Sequence, residues 1–264
     1  MVENEYKYVV NKETFDKFLN LLEKSNLRRK DIAQVNYYYD TKDFYLYKND
    51  STVRVRQISG DLELQVKEPK SVCEFSCRNE YSEKVDRISD DLIINGNSYS
   101  LIGNLITHRT VFKIDEDTEI MFDMNYYYLV CDYEIEIEFT GKISSFTNDI
   151  ILELNSNNLA KNSSKYKRYI SEALKQKIKG IIVLAINDHK KEDIKDNTKL
   201  RNMGIDSIMY VQLIILIEKE LNIKFPDDKL VLKNKTFKGL FDVVVELVKD
   251  KINQKEIQNE EAQN

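Results

Sequence analysis

The chain has 264 residues, of which 42% are hydrophobic and 32% are charged, and its formal net charge is −5 at pH 7. This composition is typical of a soluble globular protein with one or two domains, and it excludes the strongly basic character of many nucleic-acid-binding proteins. We expect no signal peptide and no membrane span, because no unbroken apolar run approaches about 20 residues. Three cysteines without a zinc-like spacing are typical of a reducing compartment. We therefore predict a cytoplasmic protein without nucleic-acid or membrane partners.

The first residues alternate charged with aromatic side chains, which is the period of a β-strand. Glu3, Glu5 and Lys7 fall on one face of this strand, and Tyr6 and Tyr8 fall on the other. Two carboxylates beside an ammonium can bind a divalent cation next to an anion. A solvated strand face has the same pattern, so this stretch alone does not decide between a site and a surface.

The segments that follow repeat the alternation, after a helix that the apolar spacing predicts at residues 12–24. Further strands are predicted at residues 33–39, 52–58, 62–67, 74–85, 108–114 and 119–124. The charged faces of these strands carry Arg54, Arg56, Lys67, Arg78, Glu80, Arg109 and Asp123. The chain therefore supplies many cations and several carboxylates on strand faces, opposite apolar faces that must be buried.

Residues 132–139 alternate without exception, so Glu134, Glu136 and Glu138 share one face. Successive glutamates on that face are about 6.6 Å apart, and like charges repel more strongly where water is excluded. Such a face requires cations, either a metal ion or the Lys and Arg side chains of neighbouring strands. An antiparallel barrel with a charged interior and external helices meets this requirement. An open antiparallel sheet with one wet face remains the alternative.

The charged motifs, in this order and spacing, resemble the CYTH superfamily of triphosphate tunnel metalloenzymes across about residues 1–170. The resemblance is carried by Glu3-x-Glu5-x-Lys7, Arg54-x-Arg56, Lys67 before a proline, Arg78-x-Glu80, Arg109, Glu134-x-Glu136-x-Glu138 and Ser164-Lys165-Tyr166. It implies an α+β fold in which a closed antiparallel β-barrel forms a tunnel and the helices lie outside. Ser82 stands where the family often has a further acid, which leaves the number of metal ions open.

The resemblance also implies a role for each charged position. Mg²⁺ or Mn²⁺ would be bound by Glu3, Glu5, Glu134, Glu136 and Glu138. Phosphate groups would be bound by Lys7, Arg54, Arg56, Lys67, Arg78, Arg109 and Lys165. The catalytic residues would be Glu3, Glu5, Lys7, Glu80, Glu136 and Glu138. The implied reaction is metal-dependent hydrolysis of an inorganic, nucleoside or organic triphosphate, with a non-catalytic anion-binding module or an adenylate-cyclase-like activity as alternatives.

From residue 181 onward the apolar spacing is helical. Asp206 and Ser207 stand directly before the apolar run 208–221, where a helix should begin, so either residue can serve as its N-cap. The motif Gly204-Ile205-Asp206-Ser207 and the segments around it resemble an acyl or peptidyl carrier protein, which is a small all-α four-helix domain. This resemblance implies that a phosphopantetheinyl transferase attaches 4′-phosphopantetheine to Ser207. Acyl- or aminoacyl-loading enzymes would then charge the thiol of that arm.

The two resemblances and the composition predict three segments. We expect a tunnel domain at residues 1–178, a carrier domain at residues 180–252 and a polar, disordered tail at residues 253–264. The expected partners are a triphosphate substrate, the phosphopantetheinyl transferase and the loading enzymes.

Overall fold

The computed structural model describes residues 4–69, 78–156, 160–161, 164–186, 191–230 and 235–261. The chain divides into two compact units, Met1–Thr41 with Asn49–Tyr169, and Lys42–Lys48 with Ile170–Asn264. The helices are α1 (Lys12–Glu23), α2 (Tyr45–Lys48), α3 (Ser145–Ser156), α4 (Lys165–Ile186), α5 (Ser207–Leu221) and α6 (Phe237–Glu261). Within the described residues, no helix is both long enough and apolar enough to cross a membrane.

The first unit is built on one antiparallel sheet of ten strands. The strands are β1 (Asn4–Val10), β2 (Arg28–Asp40), β3 (Thr52–Ile58), β4 (Asp61–Pro69), β5 (Arg78–Lys84), β6 (Asp91–Ile94), β7 (Asn97–Lys113), β8 (Thr118–Tyr127), β9 (Val130–Phe139) and β10 (Ala160–Lys161). They pair in the order β10-β1-β9-β8-β7-β2-β3-β4-β5, with β6 beside β7. This arrangement confirms the predicted antiparallel sheet with helices outside.

The sheet differs from the prediction in its closure. Among the described residues, the path of strand pairing ends at β5 and at β10, so the sheet is open where a closed barrel was predicted. At one end of the path, the short strand β10 pairs with β1 through Tyr8 opposite Lys161 and Val9 opposite Ala160, and at the other end lies β5.

One face of the sheet packs against α1 and α3. Helix α1 begins after Asn11, whose side chain accepts a hydrogen bond from the backbone N–H of Thr14 at 2.8 Å. The core between helices and sheet is formed mainly by Phe15, Phe18, Leu22, Phe122, Ile135, Ile137, Ile150 and Leu154. The apolar half of the strand alternation is therefore buried under helices, as the sequence pattern requires.

The opposite face gathers the charged residues, because the register of β1, β8 and β9 places them side by side. Glu5 lies opposite Glu138 and Lys7 opposite Glu136, and Asp123 lies opposite Glu134 on the next pair of strands. Directly paired residues project from the same face of a sheet. Glu134 and Asp123 are both 0% exposed. The charged face is therefore enclosed and forms an interior.

The second unit is helical, which confirms the predicted all-α region. Three 3₁₀ turns accompany its helices, at Lys191–Asp193, Leu200–Met203 and Asp227–Lys229. The last of these turns follows Pro226. Helix α4 begins in the first unit, since the boundary falls after Tyr169. Helix α6 continues to Glu261, into the segment for which composition predicted disorder.

Two neighbouring leucines of α1 test which face of this helix forms the core. Leu22 is 1% exposed, whereas Leu21 is 46% exposed. We expect Leu22→Ala to lower the free energy of unfolding of the first unit by about 2–5 kcal/mol, because it leaves a cavity. The control, Leu21→Ala, should change it by about 0.5 kcal/mol or less. Urea unfolding followed by circular dichroism measures both, and equal losses in the two variants would contradict this packing.

Candidate functional site

Carboxylates of β1, β8 and β9 line one side of the interior, and we call them the acidic wall: Glu5, Asp123, Glu134, Glu136 and Glu138. They form two overlapping groups that share Glu136. One group consists of Glu5, Glu136 and Glu138, and the other of Asp123, Glu134 and Glu136. In each group, one oxygen from each carboxylate lies within 4.8 Å of the others. Carboxylate clusters of this density need compensating cations.

The fully buried group already contains a cation supplied by the protein. Lys165 lies in the first turn of α4, and its Nζ is 2.7 Å from Asp123 and 2.5 Å from Glu136. The same Nζ contacts Glu134. Burial acts to lower the pKa of Lys165, but the surrounding carboxylates outweigh it and raise that pKa above its usual value. Lys165 is therefore a permanent ammonium ion within this group.

Arg109 of β7 binds the same carboxylates from another side. Its Nη2 lies 2.6 Å from Asp123 and 2.5 Å from Glu136. Burial acts to lower the pKa of Arg109, and the charges of Glu136 and Asp123 raise it well above the ordinary value. The positive charge of Arg109 is thus paired with carboxylates of the acidic wall.

Arg168 extends the network one helical turn beyond Lys165. Its guanidinium lies 2.6 Å from Glu134 through Nη2 and 2.8 Å from Asp132 through Nε. Tyr127 donates a hydrogen bond to the same Asp132 at 2.7 Å. Arg168 and Lys165 share a helix face because they are three residues apart. That spacing is a sequence signal through which Arg168 could have been identified beforehand.

The two central glutamates have opposite electrostatic character. Burial raises the pKa of Glu134 above its usual value. Burial acts in the same direction on Glu136, but Lys165, Lys7 and Arg109 surround it and hold its pKa well below the usual value. Glu136 is therefore the ionised centre of the acidic wall.

The second group, Glu5, Glu136 and Glu138, is the better candidate for a divalent cation. Glu5 retains 23% side-chain exposure, so this group is more accessible than the fully buried one. Its donors are carboxylate oxygens, which suit hard cations such as Mg²⁺ and Mn²⁺. Lys7 lies beside it, with Nζ 2.6 Å from Glu5 and 3.1 Å from Glu136. The Lys7 ammonium thus contacts Glu5 and Glu136, whereas Lys165 contacts all three carboxylates of its own group.

Cations of β3 and β4 form a second lining, which we call the basic wall: Arg54, Arg56 and Lys67. Arg54 donates from Nε to Gln65 at 2.9 Å, and Arg56 donates from Nε to Asn36 at 3.3 Å. Within the described part of the chain, neither arginine forms an ion pair with a carboxylate. The two guanidinium groups are therefore held in place by neutral partners.

The basic wall concentrates positive charge. Burial, followed by the charges of Arg54 and Arg109, lowers the pKa of Arg56 to about 9, while Glu136 acts in the opposite direction. Burial and the charge of Arg54 also lower the pKa of Lys67, although Lys67 contacts Glu80. Arg56 remains protonated at neutral pH. Arg56 lies opposite Asn36, and Asn36 lies opposite Leu105, which shares a strand face with Arg109. The two walls therefore face the same interior, and the basic wall is complementary to an anion.

The remaining predicted positions are distributed as follows. Glu3 and the side chain of Arg78 lie outside the described residues, although the backbone of Arg78 begins β5. Glu80 has 53% side-chain exposure and contacts Lys67, so it is not part of the acidic wall. Asp123 was predicted on a charged strand face without a metal-binding role, and the β8–β9 register places it in the acidic wall.

Ser207 is an exposed residue at the start of α5. The N-cap of this helix is Asp206, whose Oδ1 accepts hydrogen bonds from the backbone N–H groups of Ile208 at 2.9 Å and Met209 at 2.8 Å. Gly204 precedes the cap with φ of 81°, a left-handed conformation that favours glycine. Asp206 thus supplies the cap, and the Ser207 hydroxyl is not required for it.

Comparisons with known proteins agree with both halves of this description. The family model described as the CYTH domain matches residues 1–170, and the model described as a phosphopantetheine attachment site matches residues 176–244. "Putative triphosphatase YjbK" from Bacillus subtilis (strain 168) is 30% identical over 150 residues, which are 52% of this chain and 77% of that protein. The crystal structure of "a putative adenylate cyclase" from Bacillus halodurans is 24% identical with a TM-score of 0.51, covering 64% of this chain and 97% of that one. The latter likeness shows the fold alone.

Lys165→Met tests whether the ammonium balances the buried carboxylates. The variant leaves Asp123, Glu134 and Glu136 without this cation, so we expect a loss of about 3–5 kcal/mol in the free energy of unfolding of the first unit. Lys167→Met is the matched control, because Lys167 pairs with Asp50 at a more exposed position and should lose about 1 kcal/mol or less. Urea unfolding measures both, and similar losses would contradict the role given to Lys165.

Proposed function

Because the chain belongs to the CYTH family and also contains a phosphopantetheine attachment domain, we propose that it is a divalent-metal-dependent triphosphatase joined to a carrier domain. The observation that carries this proposal is the division of one interior into an acidic and a basic wall. A basic wall alone suits any anion, and an acidic wall alone suits a metal ion. Both are needed where a metal and a phosphate chain must meet. The similarity to the Bacillus subtilis protein named as a triphosphatase supports the same reaction class.

In this proposal the basic wall binds the substrate. Arg54 and Arg56 engage neutral partners through Nε, so their terminal nitrogens can contact phosphate oxygens in the fork geometry that guanidinium groups favour. Lys67 adds a further charge, and Glu80 positions it through their contact. Lys7 and Arg109, which contact carboxylates, lie where they can meet the phosphate nearest the metal, and Arg78 completes the proposed set.

The acidic wall takes the metal ion in this proposal. Glu5, Glu136 and Glu138 would bind Mg²⁺ or Mn²⁺, together with Glu3. When bound, the metal polarises a phosphoryl oxygen and neutralises charge in the transition state. Lys7 stays protonated, since Glu136 and Glu5 outweigh the effect of burial and raise its pKa, and it can stabilise negative charge beside the metal. Glu134 supports the site by holding Lys165 and Arg168.

The enclosure of the site strengthens these interactions. Glu136 is 3% exposed and Arg54 is 8% exposed, and Coulomb forces are larger where water is excluded. The proposed chemistry is in-line attack by a water molecule, which needs positioned charges and no protein nucleophile. A triphosphate is the substrate class, because its charge matches the basic wall.

For the carrier domain we propose Ser207 as the residue that receives 4′-phosphopantetheine. Its hydroxyl is exposed at a helix start, where backbone N–H groups favour a phosphate. Ser207 is also the only serine between residues 172 and 264 of the sequence. The partners are then a phosphopantetheinyl transferase and an enzyme that loads an acyl or aminoacyl group.

Phosphate release from tripolyphosphate and ATP tests the proposed reaction, with Mg²⁺, with Mn²⁺ and without either ion. We expect metal-dependent turnover, and we expect Glu138→Gln to lower kcat by about 10²-fold or more, because a carboxylate of the acidic wall is lost. Glu116→Gln is the control, since Glu116 has 94% side-chain exposure in a turn, and it should leave kcat unchanged. Tight tripolyphosphate binding without turnover would support an anion-binding module and contradict the triphosphatase.

Intact-mass measurement tests the carrier proposal after treatment with a phosphopantetheinyl transferase and coenzyme A. The wild-type chain should gain the mass of one phosphopantetheine group, and Ser207→Ala should gain none. Ser171→Ala is the control, since it removes the preceding serine in the chain, and it should be modified like the wild type. Modification of Ser207→Ala would show that another residue is the attachment site.

A further inference from the structure

Two interior side chains of β2 carry polar atoms that are buried without a partner. Asn36 and Tyr38 are both 0% exposed, and Asn36 Nδ2 and Tyr38 Oη form no hydrogen bond in the described part of the protein. Most buried polar groups are hydrogen-bonded, so each exception needs an explanation. The other unpartnered atom of this kind, Thr118 Oγ1, belongs to β8 on the face that packs against the helices.

The strand register places both side chains against the basic wall. Asn36 lies directly opposite Arg56, and Tyr38 lies directly opposite Arg54. Paired residues project from the same face of a sheet, so these two share the face of the arginines. Asn36 Oδ1 accepts a hydrogen bond from Arg56 Nε at 3.3 Å, which leaves Nδ2 as the unused end of the amide.

Tyr38 cannot easily move its hydroxyl to another partner. Its ring packs against Tyr166 and Tyr169, with centroid separations of 5.2 Å in both cases. The phenol also lies close enough to Arg56 to influence its pKa. These ring contacts hold Tyr38 on the face of the arginines before any ligand arrives.

Both sets of observations indicate the same kind of ligand. Two donors that lack an acceptor stand beside two arginines that lack a carboxylate among the described residues. A buried donor without a partner destabilises the free protein, and a ligand with several acceptor oxygens removes that penalty. A phosphate chain supplies such oxygens together with the negative charge that the basic wall attracts.

We propose that Asn36 and Tyr38 are further ligand-binding residues, which donate hydrogen bonds from Nδ2 and Oη to the phosphate oxygens held by Arg56 and Arg54. This inference rests on the proposed function, since it requires a polyphosphate in the interior. It adds neutral, directional donors to a site otherwise described by charge alone. It also gives Asn36 two roles, because the same amide orients Arg56 through Oδ1 and contacts the ligand through Nδ2.

Tyr38→Phe in the full-length chain separates a ligand contact from a structural one. The probe is inorganic tripolyphosphate, titrated calorimetrically with a chelator present so that no metal-dependent turnover occurs. We expect the Kd to rise about 10-fold or more, because one hydrogen bond to a charged group is lost. The unfolding midpoint of the free protein should be unchanged or higher, because the deleted hydroxyl has no partner there.

Tyr39→Phe is the matched control, because Tyr39 is also fully buried but its Oη donates to the backbone carbonyl of Ser89 at 2.8 Å. It should lower the unfolding midpoint and leave the Kd for tripolyphosphate unchanged. A Kd for Tyr38→Phe equal to that of the wild type would overturn the role of Tyr38. Failure of the wild type to bind tripolyphosphate would instead overturn the proposed function, and this inference with it.

Asn36→Asp tests the second donor without removing the partner of Arg56. The substituted carboxylate keeps an oxygen for Arg56 Nε, but it replaces the Nδ2 donor by a negative charge that repels phosphate. We expect the unfolding midpoint to be maintained and the Kd for tripolyphosphate to rise by more than it does in Tyr38→Phe. Undiminished affinity in Asn36→Asp would overturn the role of Asn36.

Discussion

The charged interior depends on the ammonium of Lys165, which lies among Asp123, Glu134 and Glu136. Buried carboxylates destabilise a fold strongly unless cations and hydrogen bonds compensate them. This requirement explains why the first turn of α4 belongs to the sheet unit. Tyr166 anchors the same turn by donating to the buried carboxylate of Asp40.

The distribution of counter-charges decides what the interior can do. Lys7, Arg109 and Lys165 contact carboxylates of the acidic wall. Arg54 and Arg56 are instead oriented by the amides of Gln65 and Asn36. The site is therefore polarised, with one side suited to a cation and the other to an anion. Catalysis of phosphoryl transfer relies on such preorganised charges more than on covalent chemistry.

Much of this arrangement was predictable, because strand alternation alone assigns each side chain to a face. The run of Glu134, Glu136 and Glu138 predicted a charged face in need of cations, and the opposite apolar residues predicted a helix-covered core. Register was not predictable in this way, since the opposition of Asp123 and Glu134 depends on how β8 and β9 align. The pairing of β10 with β1 and the open path of strand pairing were not predictable either.

The carrier half illustrates a similar limit on sequence reasoning. Capping preferences allow either Asp206 or Ser207 to begin α5, because both side chains are good N-caps. Only the hydrogen bonds from Ile208 and Met209 to Asp206 assign that role. Ser207 is therefore an exposed residue that does not cap the helix.

The most direct test of the polarised interior is a crystal structure with Mn²⁺ and a hydrolysis-resistant analogue of tripolyphosphate, using anomalous diffraction to locate the metal. Our account predicts Mn²⁺ bound by Glu5, Glu136 and Glu138, with the phosphate chain extending from the metal to Arg54 and Arg56. An ion found between Asp123, Glu134 and Glu136 in place of the Lys165 ammonium, or an anion bound outside the interior, would contradict it.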